Sequence, residues 1–395
     1  MVSIYDVIVV GMGPGGSMAA RKLASRGLKV LGIDKAHFPR YKPCGGCVSA
    51  KVDTIDDLDF SSVIEGTVSN ITFTYKFGRP LNILSDSPVG YNVMRDRFDS
   101  LLLEQARSSG VEVVEGVRVK GAREEDGIVT VSTDSGERYS GRYLVGADGA
   151  GGVIGREYFG LKLKECAVSM TAEVPIDRVK RDRFNGGLYI DFGSVPFGYS
   201  WIFPKEEHLS IGFAVEAGKT RGGVRRFLNE LVTSHEVLRG LDLEESVGWS
   251  IPLYYSSKQS LVKGRAVAIG DAGHLVDPFL GEGIYFAMKS GESAAEVIAE
   301  QAGQDSGDLS SYQDRMEREF YPEFDAALKL SRLVFNYPRL YYKILEGDNN
   351  LMERYYDVIR GSLSYREFYG WTAGQFKSKP WRLASRWVGS RFLPK

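Results

Sequence analysis

IYDVIVVGMGPGGSMAARKLASRGLKVLGID, residues 4 to 34, sets an apolar run, Val7 to Val10, directly before Gly11, Gly13 and Gly16. The run has the length and composition of a buried strand, and the residues after Gly13 read as a helix. Each glycine of such a G-x-G-x-x-G has a physical reason. Gly11 makes the tight turn, Gly13 lets backbone approach a pyrophosphate, and Gly16 lets the helix pack closely on the strand. The pyrophosphate would sit on the free N–H groups of the helix start. A second apolar run, Leu28 to Ile33, ends in Asp34, placed for a carboxylate to accept hydrogen bonds from an adenosine ribose. Strand, glycines, helix, strand and terminal acid in register predict a dinucleotide-binding βαβ start.

Around this opening the composition sets bounds. A chain of 395 residues exceeds one typical core and predicts two or three domains. The net charge of -1 gives no reason to expect nucleic acid as a partner. Cys44, Cys47 and Cys166 are too few for a disulfide scaffold, and the first apolar run is too short for a signal peptide and carries Asp6. These features predict a reducing, cytoplasmic setting. No apolar stretch approaches the roughly 18 to 20 residues of a membrane-spanning helix. The 21 tyrosines, 20 phenylalanines and 5 tryptophans fall largely after Tyr189, as either core or the lining of a large apolar ligand site.

In chain order, His37 to Ala50 (HFPRYKPCGGCVSA) reads as a structured loop, too rich in glycine and proline for a helix and too poor in alternation for a strand. Ile71 to Phe77 alternates like a strand, and Asp96 to Ser108 is an amphipathic helix. Short strands at Val111–Val114, Arg118–Gly121 and Ile128–Ser132 lead to a buried strand, Arg142–Ala147. From about Cys166 to Leu253 the texture becomes that of an antiparallel sheet, with runs at Gly187–Phe192, Tyr199–Phe203 and Leu209–Val215 and one helix at Val224–Ser234. Parallel texture returns at Arg265–Ile269, followed by a long helix from about Glu282 to Gln301. From Ser310 the chain is helical and aromatic. No repeat or low-complexity tract is present.

Three separated signatures coincide: the opening fingerprint, GADGAGGVIGR at Gly146 to Arg156, and GDAGHLVDPFLGEG at Gly270 to Gly283. Together they resemble the FAD-dependent family that includes aromatic hydroxylases, flavin halogenases and geranylgeranyl reductases. The resemblance spans roughly the first three hundred residues. It implies an α/β fold with a discontinuous Rossmann-type FAD-binding domain (1–50, 92–160 and 260–305), an inserted antiparallel β-sheet substrate domain (51–91 and 161–259) and a C-terminal helical region (306–395). It further implies a cofactor site formed by Gly11, Gly13, Pro14, Gly15 and Gly16 with Asp34 and Lys35. Cys44, Gly45, Gly46, Arg95 and Val119 join them, as do Asp148 and Gly149. Gly270 and Asp271 would reach the ribityl and diphosphate region, and Pro278, Gly281, Gly283 and Ile284 would bring backbone to the flavin edge. The helix beginning near Gly283 points its positive end there, which favours reduced flavin, anionic at N1. A turn carboxylate is the plain alternative for Asp271, and a satisfied structural donor the plain one for His274.

Two strings resemble geranylgeranyl reductases in particular: KPCGG at Lys42–Gly46 and YSWIFP at Tyr199–Pro204. The second differs from the W-x-W-x-I-P of flavin halogenases at Tyr199 and Phe203. Cys47 makes C-G-G-C where the reductase pattern needs only Cys44, but two cysteines alone make no zinc site, and no metal is expected. The resemblance implies saturation of geranylgeranyl double bonds on a lipid, a diphosphate or a chlorophyll-like carrier. An isolated trisubstituted alkene has no carbonyl to stabilise carbanion character. Hydride from reduced FAD therefore needs a proton delivered alongside, and Cys44 is the candidate donor, its alternative being an inert buried thiol. Tyr199, Trp201 and Phe203 point to one face of a strand and, with Pro204 and His274, are the substrate-side candidates; sheet core is the alternative. With one fingerprint, the electron donor is NAD(P)H docking at the flavin or a reduced ferredoxin. Rivals that share the cofactor motifs are an NAD(P)H-dependent flavin monooxygenase and a membrane-docked electron-transfer flavoprotein. The tail from Phe376 carries six basic residues, no acid, and Trp381, Trp387 and Phe392, which suits either a peripheral contact with an anionic membrane or a basic surface helix.

Overall fold

The computed structural model describes residues 4–378 apart from 164–165, 178–180, 185, 220–222, 242 and 348. The chain divides into two compact units, one made of residues 1–42, 95–166 and 251–325 and the other of 43–94, 167–250 and 326–395. The sequence grouped residues 43–50 and 92–94 with the nucleotide domain and set the C-terminal helices apart. In the structure residues 43–50 and 92–94 cluster with the second unit, residues 161–166 and 251–259 cluster with the first, and the C-terminal region divides, 306–325 joining the first unit and 326–395 the second. The reason is visible in the pairing, where Cys47–Ser49 and Gly90–Val93 are adjacent strands of one small sheet. The loop expected at His37–Ala50 therefore ends in a strand, which its glycines and proline conceal.

In the first unit, the opening strand Ile4–Val10 is buried from Val7 onward because it lies between two parallel neighbours, Val30–Ile33 and Arg138–Gly146. Parallel strands covered on both faces need continuous apolar runs, and VIVV, VLGI and YLVG supply them. The sheet continues through Ala266–Ala268 on one flank and Glu112–Val114 on the other. The strand Arg138–Gly146 is longer than the sequence predicts. Its first half pairs antiparallel with Ile128–Thr133, and its second half lies parallel in the main sheet. Helices Pro14–Ala24 and Ile284–Gly303 pack together beside this sheet, closing a core that includes Val7, Val9, Leu23, Tyr143, Ile298 and Phe324. Each fully buried side chain of this kind contributes about 1.5–3 kcal/mol.

The second unit is built on a seven-stranded sheet in the order Val247–Ile251, Ala167–Pro175, His208–Glu216, Gly198–Pro204, Leu188–Phe192, Asn70–Tyr75, Leu81–Leu84. Apart from the parallel pair Leu188–Phe192 with Asn70–Tyr75, the registered pairs are antiparallel. One face carries Ile202, Ile211, Phe213, Val215 and Val174, and the helix Arg225–Ser234 covers it with Phe227, Leu228 and Leu231. A separate three-stranded sheet joins Cys47–Ser49, Gly90–Val93 and Ile64–Val68. Helices Tyr321–Asn336, Pro338–Glu346, Asn349–Arg360 and Tyr365–Ser378 end the described chain. The basic tail lies, from Lys379, outside the described residues. Among the described residues no helix is long and apolar enough to cross a membrane.

Candidate active site

The glycine turn of the first unit is fixed by backbone contacts that exclude any side chain. Gly11 has φ +95°, and a Cβ there would lie 2.3 Å from the Ala147 carbonyl oxygen; one on Gly16 would lie 1.8 Å from the Gly11 oxygen. Gly13 is different: its Cβ position faces only the Arg40 guanidinium at 3.6 Å, so a cradle one side chain deep remains above it. The helix that follows starts with Pro14 and has no side-chain cap and no acid in its first turn, while Arg21 and Lys22 stand in its last turn. Helix Ile284–Gly303 also begins, at Gly283, without a side-chain cap or a first-turn acid. The start of the first helix packs against the second one to two turns in, and Gly15 and Gly291 allow that approach. A Cβ on Gly15 would meet the Ala287 oxygen at 2.8 Å, and one on Gly291 the Gly15 oxygen at 2.4 Å. An uncapped positive helix end above a cradle kept free of side chain suits an anionic group such as a diphosphate.

Asp34 ties this turn to the second strand. Its Oδ2 accepts the Met12 N–H at 2.7 Å and its Oδ1 the Ala36 N–H at 2.9 Å. A carboxylate has about four acceptor directions, so two remain for a ribose. Asp148 receives the Ile154 N–H at 2.8 Å on Oδ2, whereas its Oδ1 is buried without a partner among the described residues. Burial raises the Asp148 carboxyl above its ordinary value, against the backbone N–H groups of Ile154 and Gly155. Lys35 is exposed nearby, and Val119 is core, packed in the cluster with Val10 and Ile33.

A cationic group that sequence reasoning did not assemble lies beside the cradle. Arg95 donates from Nε and Nη2 to the two oxygens of Asp99 at 2.9 and 2.8 Å, and Arg40 Nη2 adds a contact of 2.9 Å. Burial by itself would raise the Asp99 carboxyl, but the charges of Arg95, Arg40 and Lys42 prevail and hold it below the usual carboxylate range. Arg40 Nη1 stays buried without a partner among the described residues. Arg40 and Asp99 belong to segments far apart in the chain, so no local pattern links them.

Asp271 stands on the short turn Gly270–Gly273, with Lys42 Nζ 4.0 Å from its Oδ2. His274 follows with φ +54°, buried, its Nδ1 without a partner among the described residues. Burial pushes its imidazole below the ordinary histidine value, while Asp271 works the other way. Between them and the long helix, the Asp277 carboxylate accepts the Phe279 N–H at 2.7 Å, its carbonyl accepts the Gly281 N–H at 3.0 Å, and Gly281 has φ +68°. These bonds shape the turn that contains Pro278.

In the second unit, Tyr199, Trp201 and Phe203 share the sheet face opposite the helix-covered one, with successive ring centroids 6.0 Å apart. Trp201 pairs with Gly212, where a Cβ would come 2.4 Å from the indole, so the ring lies over a position kept free of side chain. On the same face the neighbouring strands present small or polar residues, Ser210, Gly212 and Ala214, then Ser169, Thr171 and Glu173. On the other flank Phe192 extends the aromatic surface to Phe335 and Tyr341. Pro204 ends the strand and, paired with Leu209, falls on the helix-covered face instead of in the row, its carbonyl accepting from Asn92 Nδ2 at 2.8 Å. Trp201 Nε1 and Thr171 Oγ1 are buried without partners among the described residues.

The Cys44 turn packs on this aromatic row. A Cβ on Gly45 would meet the Phe203 ring at 2.7 Å and Trp201 Nε1 at 3.3 Å. Gly46, at φ +74°, donates its N–H to Cys44 Sγ at 3.4 Å. Among the described residues neither Cys44 nor Cys47 forms a disulfide, and Cys47 sits in a strand opposite Asn92. Among the described residues no cluster of three or more His, Cys, Asp or Glu side chains is placed to hold a metal ion.

Comparison with known proteins bears on these two surfaces. Residues 4–190 match the FAD binding domain family. The chain is 32% identical over 303 residues to a geranylgeranyl diphosphate reductase of Rhodobacter capsulatus, covering 74% of each protein. It is 31% identical over 367 residues to a digeranylgeranylglycerophospholipid reductase of Methanocella arvoryzae, covering 85% of this chain and 88% of that one. The crystal structure of a geranylgeranyl bacteriochlorophyll reductase-like protein from Thermoplasma acidophilum shares its fold, with a TM-score of 0.76 over 98% of this chain and 99% of that one at 23% identity.

Proposed function

The chain belongs to the geranylgeranyl reductase family of FAD-dependent oxidoreductases, and we propose that it saturates isolated C=C bonds of geranylgeranyl chains carried on a lipid, a diphosphate or a chlorophyll-like group. The observation that carries the substrate reading is the aromatic face of the second unit. Tyr199, Trp201 and Phe203 form a continuous apolar row, on which the Cys44 turn rests. A flexible polyprenyl chain has no polar handle along its length, so such a row suits it better than a hydrogen-bonding pocket does.

FAD fits the first unit, because the space above Gly13, two uncapped helix starts and the spare acceptor directions of Asp34 match a diphosphate flanked by a ribose. Bound there in its reduced form, the cofactor supplies hydride. The backbone N–H groups after Gly13 and Gly283 hold negative charge, Asp271 accepts from hydroxyls, and the Asp99 clamp fixes Arg95 and Arg40 at the rim of the cradle. Cys44 holds the proton at Sγ, where the Gly46 N–H fixes its direction. Cys44 would give that proton to one carbon of the alkene, and a proton from water would restore the thiol. His274 stands as a substrate-side residue, its Nδ1 needing a partner. One dinucleotide fingerprint serves the chain, so NAD(P)H or a reduced ferredoxin delivers electrons to that same flavin. The basic, tryptophan-bearing tail would bring the enzyme to an anionic membrane surface, where prenyl lipids reside.

Anaerobic incubation of dithionite-reduced protein with geranylgeranyl substrates, followed by mass spectrometry, tests the reading. The expected product gains two hydrogens per bond, whereas intact substrate beside fully reduced, FAD-loaded enzyme rejects the activity. Cys44→Ser should keep FAD and lose about 10²-fold or more in rate, the usual scale of a positioned acid. Parental turnover would remove the thiol from the mechanism.

A further inference from the structure

The residue after the aromatic strand has no part in the scheme above. Lys205 is 2% exposed, and its Nζ lies 3.0 Å from each oxygen of Glu173. Its N–H donates to the His208 carbonyl at 2.7 Å, which carries the strand ladder one step past Pro204. Lys205 therefore keeps the parity of Tyr199, Trp201 and Phe203 and shares their face of the sheet. Glu173 is on that face too, since it pairs with Ser210, and Ser210 pairs with Phe203. The ion pair thus stands at the end of the aromatic row, under the turn that carries Cys44. An added Cβ on Gly46 would lie 3.0 Å from Lys205 Nζ and 3.3 Å from its Cε. Gly46 is also the residue whose N–H reaches Cys44 Sγ, while its carbonyl accepts the Val93 N–H at 2.8 Å. Ser210 Oγ, from the same face, reaches the Cys44 carbonyl at 3.4 Å.

We infer that Lys205, held by Glu173, is a positioning residue for Cys44. The paired ammonium forms the floor on which Gly46 sits and so sets the direction of the Gly46 N–H and of the sulfur it holds. The inference rests on the reading of Cys44 as proton donor. A buried lysine that served packing alone would be met as well by an apolar side chain, without a carboxylate placed to grip it from the adjoining strands. Here Glu173 fixes the ammonium with both oxygens, which removes the freedom of a long side chain at the point where the turn bears on it.

The test uses full-length protein loaded with FAD. Lys205→Met alone leaves the half-buried Glu173 without its cation, so Lys205→Met/Glu173→Gln is made beside it to keep the fold testable. Four quantities are read: FAD per chain, kcat and KM on a geranylgeranyl substrate, and the iodoacetamide alkylation rate of Cys44 by peptide mass spectrometry. The expected result is parental FAD content, kcat lower by about 10²-fold as for a catalytic group displaced by roughly 1 Å, KM within about twofold, and an altered alkylation rate. A folded, FAD-loaded double variant with parental kcat and alkylation overturns the inference. So does a change confined to KM, which would make Lys205 a substrate contact. An altered alkylation rate in a protein whose parent reduces no prenyl substrate supports the positioning role and sinks the proposed activity instead.

Discussion

The cradle of the first unit and the aromatic face of the second are built from different material. The cradle is backbone: Gly11, Gly15, Gly16 and Gly291 are defined by what they lack, and the groups that would meet a ligand are N–H donors at two helix starts. The aromatic face is side chain, and its floor depends on which residue of one strand lies opposite which residue of the next, as Trp201 does over Gly212. Backbone sites tolerate almost no change at a few positions. Side-chain sites distribute their tolerance over many positions.

That contrast can be broken by substitution, and the largest effect should come from the cradle. Gly16→Ala forces a Cβ against the Gly11 carbonyl, a contact between two main chains that cannot move aside. A loss of about 3 kcal/mol in unfolding free energy and failure to retain FAD are expected, read by chemical denaturation and flavin absorbance. A variant that keeps FAD at parental affinity would contradict the backbone account.

Gly45→Ala presses instead on the Phe203 ring, which has freedom to turn, so about 1–2 kcal/mol and an approximately tenfold fall in kcat are expected, with FAD content unchanged. Loss of FAD in this variant would mean that the two surfaces are not separable in the way described.

A smaller effect is expected from pH. Burial holds the folded-state His274 below its ordinary value near 6.5, so the unfolded chain binds the proton first as pH falls. Stability is fully present above the unfolded value and drains away below it, down to the depressed folded value. Asn tolerates a positive φ, so His274→Asn should flatten the stability profile between pH 7 and 5 without altering the turn. An unchanged slope would assign the acid sensitivity elsewhere.

The smallest effect sharpens the side-chain half of the comparison. Trp201→Phe removes an indole N–H that has no partner among the described residues, so only lost ring volume is felt, about 1 kcal/mol, with a modest rise in KM. A destabilisation several times larger would show that the N–H is satisfied in solution.

How far each region was legible follows from the same difference. Gly11, Gly13, Gly16 and the order strand, glycine turn, helix could be read because each glycine answers a local backbone demand. The strands Leu188–Phe192, Gly198–Pro204 and His208–Glu216 could be read from their short β-like runs, but Ala167–Pro175 was not singled out, and IEGTV at 64–68 and LNIL at 81–84 were too short and mixed to stand out. Arg40 and the Lys205–Glu173 pair went unread because a charge cluster has no period; it exists only after distant segments meet. Asp34 was read for a ribose, and its first task proves to be joining the Met12 and Ala36 N–H groups, which a sequence offers no means to see.

The polypeptide passes between its two units five times, at Lys42, Met94, Cys166, Ser250 and Asp325. The ribosome therefore releases neither unit whole before Asp325 has been made. The opening strand needs Arg138–Gly146 beside it, and that strand in turn needs Ala266–Ala268. At about 5–20 residues per second, its apolar surface stays uncovered through many seconds of synthesis, so chaperone binding should be the rate-setting circumstance of its biogenesis. Excised halves cut at Lys42, Met94, Cys166 or Ser250 should aggregate rather than fold, because each of these cuts strands edges whose partners lie on the other piece.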